Sequence, residues 1–448
     1  EEHLYVAAKN ACTVYALNVT DGSQSWVFTA GGPVDSPPSL CGRLVIFGSA
    51  DGHVYCLRAL DGALVWRFRA APLDKRIVAF GRLESPWRVH GSVLVCNAVV
   101  YCTAGRSSYL DGGVWLYGID VATGKVLHQA RVDTWARTRK DAEGKPFVPA
   151  YHMEGVQSDV LVSQDDFIYL GQTKFDLQLN LQRVPYVMPD SDQRVKAMDL
   201  SGRPFIVADA EPGQDYETHQ RDWLERTQKH LLEQLHRDHG SHNLGDRDIG
   251  LHVFSTAGFL DDSWFNRTFW MYSATWPGYY IAHRAAKTGQ LLVVGPGRTY
   301  AVGAYPSRNL QSPLFTPGQT GYLLFADDNG NEPVLDSQTR GTTKGWGFTR
   351  MQPPAWHNWM DIRIRAMVLA HDRLFVLGPP DVVDPADPMA AFENRKGAIL
   401  RMLNADTGSV LAERELAFAP VFDGLVAAHK RLFISLQDGS VMCLGPKD

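Results

Sequence analysis

Six side chains recur at one place in the pattern of this chain, and their types could do chemistry. Asp35, His90, Arg365 and Asp423 each lie nine residues before a strand-like run, opening at Leu44, Val99, Leu374 and Leu432. Gln157 takes the same place once a one-residue insertion is allowed, and His252 in "GLHVFS" is the sixth member. Arranged round a ring, these groups would point at one another and at water. They form either a structural network of ion pairs and water, because buried unpaired polar groups are costly, or a polar funnel for a ligand. The adjoining stretches carry groups suited to sugars or anions. They include Arg82, Glu84, Trp87 and Arg88, then Arg106 and Asp111, Glu154, and Lys174 with Asp176. "AWHNWMDIRIR" adds Trp356, His357, Trp359 and Arg363. Two carboxylates flanking a sugar can do acid–base work. Glu84 and Glu154 are the candidates, with His90 or His252 as a proton carrier near neutral pH.

Other chemistries find less in the sequence. There is no Gly-x-Ser-x-Gly elbow, P-loop or dinucleotide fingerprint in a fitting context. His236 and His239 share a helical spacing beside His242, Asp238 and Asp246. A solvated helix end, where His suits the dipole, explains them better than a metal does, so no metal site is assigned. The six cysteines, Cys12, Cys41, Cys56, Cys96, Cys102 and Cys443, contain no CxxC, and they read as small packed thiols. A net charge of −5 leaves no basic stripe for nucleic acid. No apolar run approaches the roughly 20 residues of a membrane-spanning helix.

What must position these groups is a repeat. "VYALNVTDGSQSWVF" begins at Val14, "VYCLRALDGALVWRF" at Val54 and "LYGIDVATGKVLHQA" at Leu116. Weaker copies begin at Val195, Ile281 and Ile399, and half a copy, "VMCLG", at Val441. Each full copy is a short alternating strand, a turn such as Asp21-Gly22 or Thr123-Gly124, and a second strand, with glycine supplying the positive φ. Upstream of most copies lies another strand pair, as in "SLCGRLVIFGSADG" and "LVAAHKRLFISLQDG". The unit is therefore four strands with a period of roughly 40–45 residues, the signature of a β-propeller blade. The 448 residues are expected to form a single all-β propeller of about eight blades. The aligned polar position then falls at the start of each innermost strand. One segment breaks the pattern. Trp223, Leu224, Leu231 and Leu235 share one helical face, so residues 208–247 are expected to be a helical and loop insertion. The chain opens on "EEHLYVAAKN", in the middle of a unit, and an N-terminal piece is expected to be missing.

The copies resemble the PQQ-enzyme-type repeat, with Asp or Thr before a glycine and Trp four residues after it. Trp26 and Trp66 match the tryptophan that docks one blade on the next in that family. His128, Val293 and Ala412 stand at the equivalent positions of later copies. "AGRSSYLDGGVWLYGID" and "FSTAGFLDDSWFNRTFWMYS" are similar to bacterial extracytoplasmic propellers of planctomycete type, described as BamB-like. The resemblance implies a periplasmic or otherwise extracytoplasmic compartment and two alternative functions. One is a scaffold binding a protein or glycan through the channel face. The other is an enzyme, carbohydrate-active or a quinone-dependent oxidoreductase, at the polar funnel. The second would bring pyrroloquinoline quinone and calcium as cofactors, although the adjacent cysteine pair of quinoprotein dehydrogenases is absent. Under either function the expected ligand-facing set is Asp35, Trp87, Arg88, His90, Arg106, Gln157, Lys174, His252, Arg365 and Asp423.

Overall fold

A computed structural model describes residues 3–79, 81–134, 156–182, 248–261, 269–275, 285–303, 318, 321–336 and 347–445. The described chain is all-β, built of antiparallel sheets of the β-propeller type whose strands follow one another in chain order. The expected insertion over 208–247 and the candidate Glu154 lie outside the described residues, as does the repeat copy at Val195. The chain divides into two compact units, Glu1–Val184 with Ala257–Asp261, and Pro185–Thr256 with Asp262–Asp448.

The first unit holds two four-stranded sheets, Ser39–Cys41, Leu44–Gly48, His53–Arg58 and Leu64–Arg69, then Leu94–Cys96, Val99–Ala104, Val114–Asp120 and Val126–Val132. A three-stranded sheet stands on each side of them in the sequence, His3–Ala8 to Gln24–Thr29 and Val162–Gln164 to Thr173–Asp176. Tight hairpins join the first and second strands. Asn97-Ala98 and Asp165-Asp166 both take positive φ, the type I′ geometry that matches strand twist, and their short side chains include two of the residues that tolerate it best. Between the third and fourth strands Gly22, Gly62 and Gly124 adopt φ of 74°, 70° and 71°, and a register shift precedes each turn.

That turn is also the seat of the next contact. Trp26 packs on Gly62, and a Cβ there would lie 2.8 Å from the indole; Trp66 packs on Gly124 at 2.9 Å. Each indole N–H donates at 2.9 Å to a turn carbonyl, Ala59 for Trp26 and Val121 for Trp66. The tryptophans therefore dock one sheet onto the next as the repeat resemblance implies. Val14, Ala16, Val45, Phe47 and Leu57 fill the first gap, and Ile46, Val54, Val100, Cys102 and Ile119 the second.

In the second unit the four-stranded sheets are Leu292–Val294, Arg298–Gly303, Tyr322–Asp328 and Trp356–Met360, then Ala366–Ala370, Arg373–Gly378, Ala398–Asn404 and Val410–Leu416. Asp248–Ser255, Trp270–Thr275 and Thr288–Gly289 form one three-stranded sheet, and Pro420–Ala428, Arg431–Leu436 and Val441–Leu444 another. The copy from Ile281 departs from the sequence reading. Thr288-Gly289 is a short strand paired with Trp270 and Met271, not a turn, and Val293 lies in the first strand of the following sheet. Gly289 is needed for closeness, since a Cβ would lie 2.7 Å from the Val302 carbonyl oxygen. The docking residue of that following sheet is Trp356, which the sequence reading had placed among ligand-facing aromatics. Its indole packs on Gly408 and donates to Ala405 O at 2.9 Å.

Candidate functional site

The six aligned polar positions divide between the units, Asp35, His90 and Gln157 in the first and His252, Arg365 and Asp423 in the second. In the first unit the structure brings two candidates, Arg88 and His90, onto the carboxylate of a third, Asp35. Asp35 Oδ2 accepts from Arg88 Nη2 and sits 2.8 Å from His90 Nδ1, while Oδ1 accepts the Gly91 N–H at 2.8 Å. Two glycines allow this approach. A Cβ on Gly91 would lie 2.2 Å from Ser36 O, and one on Gly48 2.1 Å from His90 O, so the backbones touch where the side chains meet.

The hydrogen bonds determine the state of His90. Its Nε2 lies 3.1 Å from the Ser158 carbonyl oxygen, which can only accept, so Nε2 carries a proton. Nδ1 faces a carboxylate oxygen and must carry one too, or two lone pairs would oppose each other. Burial works against that imidazolium, but the hydrogen bond and charge of Asp35 outweigh it and raise the His90 pKa above its ordinary value. Burial likewise opposes ionisation of Asp35, yet His90 first and Arg88 second hold its carboxyl far below the usual range. With both nitrogens on protein acceptors, His90 is a clamp between two sheets.

The sequence reading missed Asp159, two residues past Gln157. It is 6% exposed, and its oxygens accept the Val160 N–H at 2.8 Å and the Phe259 N–H at 3.0 and 3.1 Å. Burial pushes its carboxyl up to about 6, although His90 and the two N–H groups pull the other way. A folded-state pKa above the unfolded value means that the protonated form favours the fold. This contribution is full below about pH 4 and is lost as pH rises through about 6, a change of roughly 3 kcal/mol at 1.36 kcal/mol per unit. Asp159→Asn is expected to flatten the slope of stability between pH 4 and 6, read as urea midpoints across that range. An unchanged slope would place the titrating group elsewhere.

Among the remaining candidates, Glu84, Trp87, Arg106, Lys174 and His252 have side-chain partners, whereas the contacts of Gln157 and Asp423 are made by their backbones. Glu84 and Arg106 form an ion pair with Glu84 buried. Trp87 is buried at 5% exposure and donates to Asp111 O at 3.0 Å, so its ring belongs to the core rather than to a binding rim. Lys174 lies over the Phe167 ring at 3.8 Å on the strand Thr173–Asp176. Gln157 is exposed, with its backbone bridging Ser107. In the second unit His252 is buried with Nδ1 donating to Gly250 O at 2.7 Å, and the Asp423 N–H donates to Arg365 O at 2.9 Å.

Residues 1–172 match the family profile described as outer membrane protein assembly factor BamB. No curated protein matches the chain. Among solved structures, BamB from Moraxella catarrhalis is 12% identical, with 100% of this chain and 92% of that one covered at a TM-score of 0.44. The dihydro-heme d1 dehydrogenase NirN is 10% identical over 99% and 70% at 0.47. Quinohemoprotein alcohol dehydrogenase from Comamonas testosteroni is 12% identical over 97% and 69% at 0.45. Likeness at this level bears on neither site nor activity. Residues 1–172, which hold the Asp35–Arg88–His90 cluster, thus carry the repeat of the BamB-like, PQQ-type propeller family.

Proposed function

We propose that the chain is an extracytoplasmic scaffold that binds a protein or glycan through the loops leading into its first strands. One observation carries this reading: the ionisable candidates there are engaged by one another, Asp35 by Arg88 and His90, and Glu84 by Arg106. A catalytic acid or base must keep an atom within reach of substrate, and the two nitrogens of His90 are both committed. The family description matched by residues 1–172 supports a protein partner and a place outside the cytoplasm. No helix among the described residues is long and apolar enough to cross a membrane.

A second reading has one observation in its favour. A buried carboxyl raised to about 6 beside a histidine is a pattern that acid–base sites share. Asp159 would then serve an enzyme, carbohydrate-active or oxidoreductase. Among the described residues no group of three or more His, Cys, Asp or Glu is placed to hold a metal, and all six cysteines are free thiols.

Photo-crosslinking in the native host separates the two. A crosslinker at exposed Gln157 or Leu110 should give a discrete protein or glycan adduct that the outer-strand position Val65 does not. Asp159→Asn should leave that adduct unchanged. If the purified chain instead turns over a sugar or an alcohol, and Asp159→Asn lowers kcat in a folded protein, the enzyme reading replaces the scaffold.

A further inference from the structure

The hairpin Ile77–Ala79 and Arg82–Glu84 stands as a two-stranded ribbon outside the four-stranded sheets. Val78 pairs with Leu83 across it, so both side chains share one face. That face is open to solvent, with Val78 75% and Leu83 64% exposed, and Leu73 adds a third exposed aliphatic at 61%. Lys75 and Arg76 are exposed immediately before the first strand, and Arg82 lies in the second. Residues 73–83 thus carry three basic side chains against one acidic, Asp74, in a chain whose net charge is −5. Isolated two-stranded hairpins are marginal in water, but this one is pinned at its base and beside its turn. Glu84 pairs with Arg106, and Arg82 donates to Asn10 Oδ1 at 2.6 Å. Two of the candidate site residues, Glu84 and Arg106, therefore hold a ridge in place.

We infer that this ridge docks the protein on an anionic lipid surface, with Val78, Leu83 and Leu73 entering the headgroup boundary and Lys75 and Arg76 meeting the lipid charge. Three aliphatics on and beside a two-stranded ribbon are too few for the core of a stable protein interface, which needs about 800 Å² a side. A lipid surface requires no complementary pocket, and it combines shallow apolar insertion with attraction of basic residues. The binding would be weak, reversible and sensitive to salt.

Sedimentation of the full chain with vesicles tests this. Phosphatidylcholine vesicles containing phosphatidylglycerol should capture the protein, and vesicles of phosphatidylcholine alone should not. Each basic residue near an anionic surface is worth about fivefold in affinity, so K75E/R76E should reduce capture by more than roughly 25-fold. V78S/L83S should reduce it at least about tenfold. The apolar pair is exposed, so V78S/L83S should keep the wild-type unfolding temperature, and that comparison separates lost docking from lost folding. Failure of both vesicles to capture the wild-type chain would overturn the proposal. So would wild-type capture by V78S/L83S. Crosslinks from Val78 to an envelope protein, without vesicle binding, would reassign the ridge to a protein partner.

Discussion

Asp35→Ala is expected to destabilise the first unit by about 3–5 kcal/mol, the usual cost of removing one partner from a buried ion pair. The loss leaves two cations, Arg88 at 23% and His90 at 13% side-chain exposure, without the carboxylate that both face. Asp35→Asn should cost less, since the amide oxygen still accepts part of what the carboxylate takes from Arg88, His90, Gly91 and Ser36. The direction with pH follows from the two shifts. Asp35, whose carboxyl is held low, contributes stability that is present above the ordinary carboxylate range and lost as pH falls through its depressed folded value. His90, raised, contributes stability that is full below the ordinary histidine range and lost as pH rises through its higher folded value. The mutant should therefore differ most from the native chain between those two limits. Denaturant unfolding followed by tryptophan fluorescence reports it, because Trp66 and Trp87 are buried in the same unit. A change below about 1 kcal/mol would mean that the cluster is solvated, as surface ion pairs are. It would also reopen the case for a ligand funnel.

Trp66→Ala is expected to cost about 3–5 kcal/mol, the range for deleting a large buried aromatic. The indole both fills the gap above Gly124 and donates to Val121 O at 2.9 Å. Trp66→Phe isolates the hydrogen bond at about 1 kcal/mol plus the lost ring area. The glycines provide an internal control. Gly22 and Gly124 share the same left-handed conformation, φ 74° and 71°, so alanine at either meets the same backbone penalty of about 1–2 kcal/mol. Around Gly22 nothing lies within 4 Å of the added Cβ, whereas at Gly124 it would lie 2.9 Å from the Trp66 ring. Gly124→Ala should therefore destabilise more than Gly22→Ala, by the packing term alone. Equal effects in thermal unfolding would show that the tryptophan yields freely and is not a docking contact.

Much of this architecture was legible in the sequence because it is local and periodic. Alternating apolar residues set the face of each strand and the glycine before the fourth strand set the turn, while the contact Trp26 and Trp66 make between sheets was implied by the family resemblance. The aligned position of Asp35 and His90 was legible for the same reason, since each lies four residues ahead of the first strand of neighbouring copies, in the loop rather than on the strand. Periodicity places a side chain on a face, but it does not name the group opposite. Only the packing of sheet on sheet decided that Asp35, Arg88 and His90 meet on one carboxylate, that Glu84 pairs with Arg106, and that Trp87 turns into the core. Asp159 was invisible because Phe259, which donates to it, arrives from a segment a hundred residues further along the chain. Trp356 was misplaced because the hairpin Pro333–Asp336 and Gly347–Arg350 separates it from the strand it pairs with, and an insertion of that size erases the spacing by which its docking role would be read. Periodicity alone carries the repeated sheet and the polar residue ahead of its first strand. The tertiary structure decided which charges neutralise one another, because that depends on contacts between residues whose separation in the chain carries no pattern.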